Sequence, residues 1–334
     1  MKTLGTLGLA AALAASVALP AAAEIRTRTI TVSNGVADTH PVGNGVEAMR
    51  ACMTERTGGK WTLNAFWSGA LGNDLDATQA LRSGTQEMVI TSTSPLVGIE
   101  PALGVFDLPF LFANEAEADA ILDGEFGAMM SDKMTNHGLV NLAFWENGFR
   151  NLTNSLRPVQ TLEDFSGMRV RVMQNNIFLD TFQNLGANAI PMAFGELFTA
   201  LETKAIDAQE NPYVTIDTSK FYEVQGYLSA TRHAYTPFMV LFSKAIYDSY
   251  SPEEQQILVD CAMVGQAEQR SVSRALSEKS LANVQAAGMQ FNELAPAEVE
   301  RIREHSAVIY ERHKGTIGAD VVDAMLAALD ELRN

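Results

Sequence analysis

The chain has 334 residues, 47% hydrophobic and 19% charged, with two cysteines, and its 40 acids against 24 bases give a formal net charge of −16. That apolar share supports a large core and the length favours two domains, so a disordered chain is excluded. A charge of this sign with no basic face excludes a nucleic-acid binder, and two cysteines cannot build a four-thiolate zinc site.

Lys2 precedes an uncharged, Ala- and Leu-rich run over residues 3–19, then Pro20 and three alanines, Ala21 to Ala23. A basic start, a short apolar stretch and small residues at the end form a secretory signal, expected to be cleaved after Ala23. A spanning helix needs about 20 strongly apolar residues, and this run is shorter and interrupted by Gly5, Gly8 and Ser16. Removing residues 1–23 leaves 23 bases against 40 acids, a net charge of −17. The expectation is an exported, soluble protein. In an oxidising compartment Cys52 and Cys261 are candidates for one disulfide, the alternative being two separate buried thiols.

Residues 28–33 (Arg-Thr-Ile-Thr-Val-Ser) alternate and are β-branched, which predicts a strand. A loop with Asp38, His40 and Pro41 leads to a helix over 42–56, ended by Gly58 and Gly59. A second strand follows at 60–66, a helix at 75–82 stopped by Gly84, and a strand at 87–91. This is the grammar of an open parallel α/β sheet. The pattern restarts after Glu146, with a strand at 168–172, a helix at 176–185, a short strand at 189–191 and a helix at 196–203. Two such blocks predict two similar lobes. Ser251-Pro252-Glu253-Glu254 starts a long helix, with Ser at the N-cap, proline at the first position and acids in the first turn. It runs to about residue 287, long enough to cross both lobes, and the chain from 296 to 332 reads as polar helix.

Catalytic signatures are missing. Gly43-Asn44-Gly45-Val46-Glu47-Ala48 fits a loose dinucleotide pattern, but the acid expected about 20 residues later is absent. It reads as the first turn of a helix. There is no Walker A loop, no H-E-x-x-H and no G-x-S-x-G, and the five histidines show no metal-ligand spacing. No cofactor and no metal are expected, and the chemistry reads as recognition.

Three segments place anion-binding groups at element ends. Arg150 sits where the chain crosses from one block to the next. Arg169 and Arg171 alternate with Val170 and Val172, so the two arginines share one strand face. Gln209-Glu210-Asn211-Pro212 ends a strand-like run. Ligands of open α/β sheets sit beyond the carboxyl ends of strands, the predicted place of Arg171, Gln174 and Asn211. Arginine suits a carboxylate because its planar fork donates two parallel charge-assisted hydrogen bonds.

These residues resemble the solute-binding proteins of tripartite ATP-independent periplasmic (TRAP) transporters, the DctP-like family. The likeness runs from about Thr29 to the C-terminus through Leu71-Gly72-Asn73-Asp74, Asp107-Leu108-Pro109-Phe110, Gly148-Phe149-Arg150, Gly167-Met168-Arg169-Val170-Arg171 and the stretch from Pro191 to Val224. The resemblance implies a type II-like, two-lobed α/β periplasmic-binding-protein fold with crossing strands and a long helix spanning both lobes. Lobe I would comprise 24–148 and about 237–276, and lobe II 149–236 and about 277–334. It implies that Arg171 makes the carboxylate salt bridge, that Asn211 backs it and that Arg150 fills the second basic position. It also implies a periplasmic location and delivery to the small and large permease subunits, with the binding protein itself expected to be monomeric. A carboxylate found in sialic-acid-binding members is replaced here by Ser92, which argues against that ligand.

On the first lobe His40, Asn73, Ser92, Thr93 and Ser94 are able to bond hydroxyls, while Trp67, Trp145 and Phe194 offer flat apolar faces. Many hydroxyl partners with one carboxylate clamp point to a sugar acid, a uronate or aldonate. A C4-dicarboxylate held by Arg150 and Arg171 is the alternative, followed by a hydroxylated sulfonate. A different class, a periplasmic enzyme acting on such acids, would need a general acid or base; Glu146, Glu210 and His40 are its candidates.

Overall fold

The computed structural model describes residues 24–334, so the expected signal segment, 1–23, lies outside the described residues. The first block runs β1 (Arg28–Asn34), α1 (Pro41–Arg56), β2 (Trp61–Phe66), α2 (Asp74–Arg82) and β3 (Met88–Ser92), followed by α3 (Glu115–Leu122) and α4 (Glu125–Thr135). A 16-residue strand, β4 (Leu139–Asn154), leads to the second block: β5 (Arg169–Val172), α5 (Asn176–Asn184), β6 (Asn188–Pro191), α6 (Phe194–Glu202), β7 (Ala208–Asn211) and α7 (Tyr213–Thr218). The 17-residue β8 (Tyr227–Ser243) returns. Then come α8 (Lys244–Tyr247), α9 (Pro252–Ala286), β9 (Gln290–Glu293), α10 (Pro296–Ser306), α11 (Val308–Ile317) and α12 (Ala319–Arg333).

The two blocks share one sheet, in the order β2-β1-β3-β8-β4-β7-β5-β6, with β9 also paired to β8. Within each block the strands are parallel, whereas β8 is antiparallel to β3 and β4, and β4 to β7. β3 joins β8 at residues 238–242, and β7 joins β4 at residues 151–154, so the two long strands carry one block at each end. At about 3.3 Å per residue each is roughly 50 Å long. Their register slips at Asn141/Phe144, Glu146/Gly148 and Arg150/Leu152, and Gly148 has φ 115°. Such slips are β-bulges, which bend a strand and increase its twist.

Each block has its own core. Ile30, Val32, Val46, Met49 and Ile90 pack in the first, and Phe165, Val170, Val172, Phe178 and Phe182 in the second. The long helix forms as its start signals require. The Ser251 hydroxyl accepts from Glu254 N at 3.2 Å, and the Glu254 carboxylate accepts from Ser251 N at 3.0 Å, a reciprocal capping box. At 1.5 Å per residue α9 spans roughly 52 Å.

α1 and α9 cross at Gly45 and Gly265. A Cβ at either would lie 2.5 Å from the Trp145 ring, so both positions have to stay bare for the ring to fit. Two turns along α1 and one turn back along α9, Cys52 and Cys261 form a disulfide with Cα atoms 5.4 Å apart.

The C-terminal chain divides between the two blocks. α10 packs on the second block through Ile302, and α11 touches it where His313 Nε2 meets Asp180 of α5 at 2.9 Å. From residue 308 onward the chain packs on the first, where Ile309, Val321, Val322, Met325 and Leu329 share a core with Leu103, Ile121 and Met130. Its polar composition concealed one apolar stripe on α12. Among the described residues no helix is long and apolar enough to cross a membrane.

Candidate ligand-binding site

A cavity lies between the two blocks. The first block and the adjoining long strands line it with Asn34, Asp74, Ser92, Asn147 and Phe238; the second supplies Arg171, Met173, Phe194, Asn211 and Thr215.

Arg171 is the central group. β5 lies between β6 and β7, which buries the side chain to 2% exposure. Nε and Nη2 donate to the Met192 carbonyl at 2.9 and 2.7 Å. Nη1 is buried and has no hydrogen-bond partner among the described residues. Burial pulls the Arg171 pKa down to about 10, with Glu210 opposing that shift. The side chain therefore remains a cation at neutral pH. A buried cation with an unmet donor destabilises the empty site, and an anion relieves it. Arg169, on the same strand face, instead closes on Asp207, with Nε and Nη2 donating at 2.9 and 2.6 Å.

Asn211 ends β7 with its amide orientation set. Oδ1 accepts from Arg150 Nη2 at 3.2 Å, and Nδ2 donates to Gln209 Oε1 at 2.6 Å. Gln209 in turn donates to Thr153 Oγ1 at 2.8 Å. One amide N–H of Asn211 is left for the cavity.

Arg150, expected at the second basic position, stands off the cavity wall. It is fully buried, and Nε and Nη2 donate to the two Glu210 carboxylate oxygens, Nη2 also to the Glu210 carbonyl at 2.6 Å, and Nη1 to Thr236 Oγ1 at 3.2 Å. Burial opposes the Glu210 charge, but Arg150 and a bond with His233 Nε2 at 3.1 Å outweigh it and hold the carboxyl at about 2. The pair is neutral as a unit and stands behind the lining.

The other expected residues divide. Ser92 lines the cavity, and its Oγ is buried without a partner among the described residues. Phe194 lines it too, its ring centre 6.0 Å from the Arg171 guanidinium carbon. Asn73 caps α2, accepting from Leu75 N at 2.9 Å and Asp76 N at 3.1 Å, and sits at an outer mouth with Asp74 and Glu196. His40 is buried behind Thr215. Thr93 is buried off the lining, and Ser94 is taken by Asp107, to which it donates at 2.5 Å. Gln174 is exposed and off the cavity wall, because the chain turns outward before α5. Trp145 is wholly buried between the two glycines and donates to the Ala262 carbonyl at 3.1 Å, so its flat face serves the core.

Asp74, Asn147, Thr215, Met173 and Phe238 were not foreseen. Asp74 carried a signal, an acid beside the Asn73 cap, but first-turn acids are ordinary helix starts. Burial raises its pKa, while Thr91 and Arg171 lower it. The three acid–base candidates are all engaged: Glu146 accepts from Arg274 at 2.8 and 2.7 Å, Glu210 is bound by Arg150, and His40 Nδ1 accepts from Val42 N at 3.3 Å. No group of His, Cys, Asp and Glu suited to a metal occurs among the described residues.

Residues 32–315 match the family described as "Bacterial extracellular solute-binding protein, family 7". The 2,3-diketo-L-gulonate-binding periplasmic protein YiaO of Escherichia coli is 39% identical over 71% of this chain and 73% of its own length. The sugar acid binding protein DctPAm from Advenella mimigardefordensis, solved with galactonate, superposes with a TM-score of 0.90 at 44% identity, covering 92% of this chain and 99% of that one. A TRAP periplasmic solute binding protein from Sulfurospirillum deleyianum, solved with succinate, gives 0.86 at 26% identity over 91% and 100%. Members of this family bind small organic acids for TRAP membrane permeases. The chain belongs to this family of DctP-type TRAP solute-binding proteins and is a transport protein, not an enzyme.

Proposed function

We propose that this protein captures a hydroxylated monocarboxylate, a sugar acid of the aldonate or uronate class, in the periplasm and hands it to the small and large subunits of a TRAP permease. The carrying observation is the buried Arg171 with Nη1 unmet, a single charge-assisted donor site for one carboxylate. Asn211 adds its remaining N–H, and Ser92, Asn147 and Thr215 supply partners for hydroxyls.

Two features favour a monoanion over a C4-dicarboxylate. Arg150 is already neutralised by Glu210, and the Asp74 carboxylate faces the same cavity as Arg171. A second carboxylate would meet no free cation there and would be repelled by Asp74, whereas a hydroxyl donates to it. The galactonate-bound relative at 44% identity supports the same choice, and the succinate-bound relative at 26% is the support for the alternative. We assign lobe I to 24–148, about 237–276 and 308–334, and lobe II to 149–236 and about 277–306, closing as a monomer on the acid.

Thermal shift measured with galactonate, D-glucuronate, D-galacturonate, succinate and a hydroxysulfonate tests the reading. A sugar acid at 100 times its Kd should stabilise the protein by about 2.7 kcal/mol, with succinate weaker. Tightest binding of succinate, or no response to any acid, would overturn it.

A further inference from the structure

His40 joins the two blocks without lining the cavity. It is the N-cap of α1, where Val42 N donates to Nδ1 at 3.3 Å. In the neutral ring the proton then belongs to Nε2, which lies 3.2 Å from Thr215 Oγ1 on α7. The ring packs edge-on to Phe238, with centroids 6.1 Å apart and planes at 83°. His40 and Thr215 are 1% and 2% exposed. Burial holds the His40 pKa down at about 3, so the ring is neutral at physiological pH.

This arrangement fixes a direction. Nε2–H donates, so the Thr215 oxygen accepts, and the hydroxyl hydrogen has to point elsewhere. Thr215 forms part of the cavity wall. By contrast Thr218, on the same helix, spends its hydroxyl on the Val214 carbonyl at 2.8 Å.

We propose that His40 is a positioning residue, acting through Thr215: it turns the Thr215 hydroxyl into a fixed donor aimed at a ligand oxygen, and the same bond ties the first block to the second over the bound molecule. The inference rests on the reading that the cavity takes an oxygen-rich acid. It gives the site a further oriented donor beside Arg171 and Asn211, contributed jointly by both sides of the cleft.

The test has two arms on the full mature chain. In the first, long-range proton–nitrogen NMR of 15N-histidine-labelled protein reads the His40 tautomer. The expected result is an Nε2–H ring that does not titrate between pH 5 and 8 and whose Nε2 resonance moves in Thr215→Val. An Nδ1–H tautomer, or a resonance unmoved by Thr215→Val, overturns the proposal. The second arm measures galactonate affinity calorimetrically for wild type, His40→Asn, Thr215→Val and the double variant. Asparagine keeps an N-cap acceptor but is too short to reach Thr215. Each single variant should bind about tenfold more weakly, and the double no more weakly than Thr215→Val alone. Wild-type affinity in His40→Asn would reduce His40 to a helix cap and overturn the proposal. If galactonate failed to bind wild type, the sugar-acid reading would fall, while the NMR arm would still decide the His40–Thr215 relay.

Discussion

Glu210 turns both of its carboxylate oxygens toward the guanidinium of Arg150, and the two side chains are fully buried. The pair holds Asn211 in orientation and leaves Arg171 as the arginine of the cavity wall with an unmet buried nitrogen. Removing one partner of such a pair leaves an uncompensated buried charge. Glu210→Gln should therefore lower the unfolding free energy by about 3–5 kcal/mol, measured by urea denaturation at pH 7. The Glu210 pKa is depressed in the folded state to about 2 from 4.5. Its stabilisation is thus fully present above about pH 4.5 and is lost as pH falls toward 2. The variant should lack that part of the acid-induced loss.

Asp107 behaves oppositely. It is fully buried and accepts from Ser94 Oγ at 2.5 Å and from Asn175 Nδ2 at 2.6 Å. Burial raises its pKa to about 7, against the lowering effects of those two bonds and of Arg150, with Glu210 adding to the rise. Here the folded state keeps a proton that the unfolded chain has lost, so stability falls as pH rises from about 4 to 7. Asp107→Asn should be close to wild type near pH 4 and more stable than it by about 4 kcal/mol at pH 8, read from paired denaturation curves.

Asp74 is the selectivity test. Asp74→Asn removes the negative charge facing Arg171 and should raise succinate affinity at least tenfold relative to galactonate, as measured by titration calorimetry. An unchanged preference would show that charge at this wall does not discriminate.

The Cys52–Cys261 bridge closes a loop with a sequence separation of 209 and ties α1 to α9, and neither cysteine lines the cavity. In the chain-entropy model such a loop contributes about 5 kcal/mol. The double Cys→Ser variant should melt markedly lower than wild type while its galactonate affinity, measured well below the melting range, stays within about twofold.

How much of this was legible beforehand depended on locality. The strands of 28–34, 61–66 and 169–172 were readable because their side chains alternate, and α9 because Ser251, Pro252 and Glu254 form a local start signal. β4 and β8 carry no such alternation. Both of their faces are buried, and β4 places Glu146, Asn147, Arg150, Asn151 and Thr153 inside the protein, so period-2 patterning is erased. Arg171 was legible as a cavity candidate because it stands near a strand end. The pairing of Arg150 was not legible because its partner Glu210 lies 60 positions away, and no local spacing reveals that a buried arginine is already satisfied. Trp145 had the same problem with Gly45 and Gly265.

The central claim is that Arg171 holds the carboxylate of a sugar acid. The direct measurement is galactonate affinity in Arg171→Gln, with the melting temperature of the ligand-free variant as the control for folding. Loss of a buried charge-assisted contact should weaken binding about 100-fold, while the ligand-free variant melts no lower than wild type by more than a few degrees. A folded Arg171→Gln protein that binds galactonate with wild-type affinity would contradict the claim.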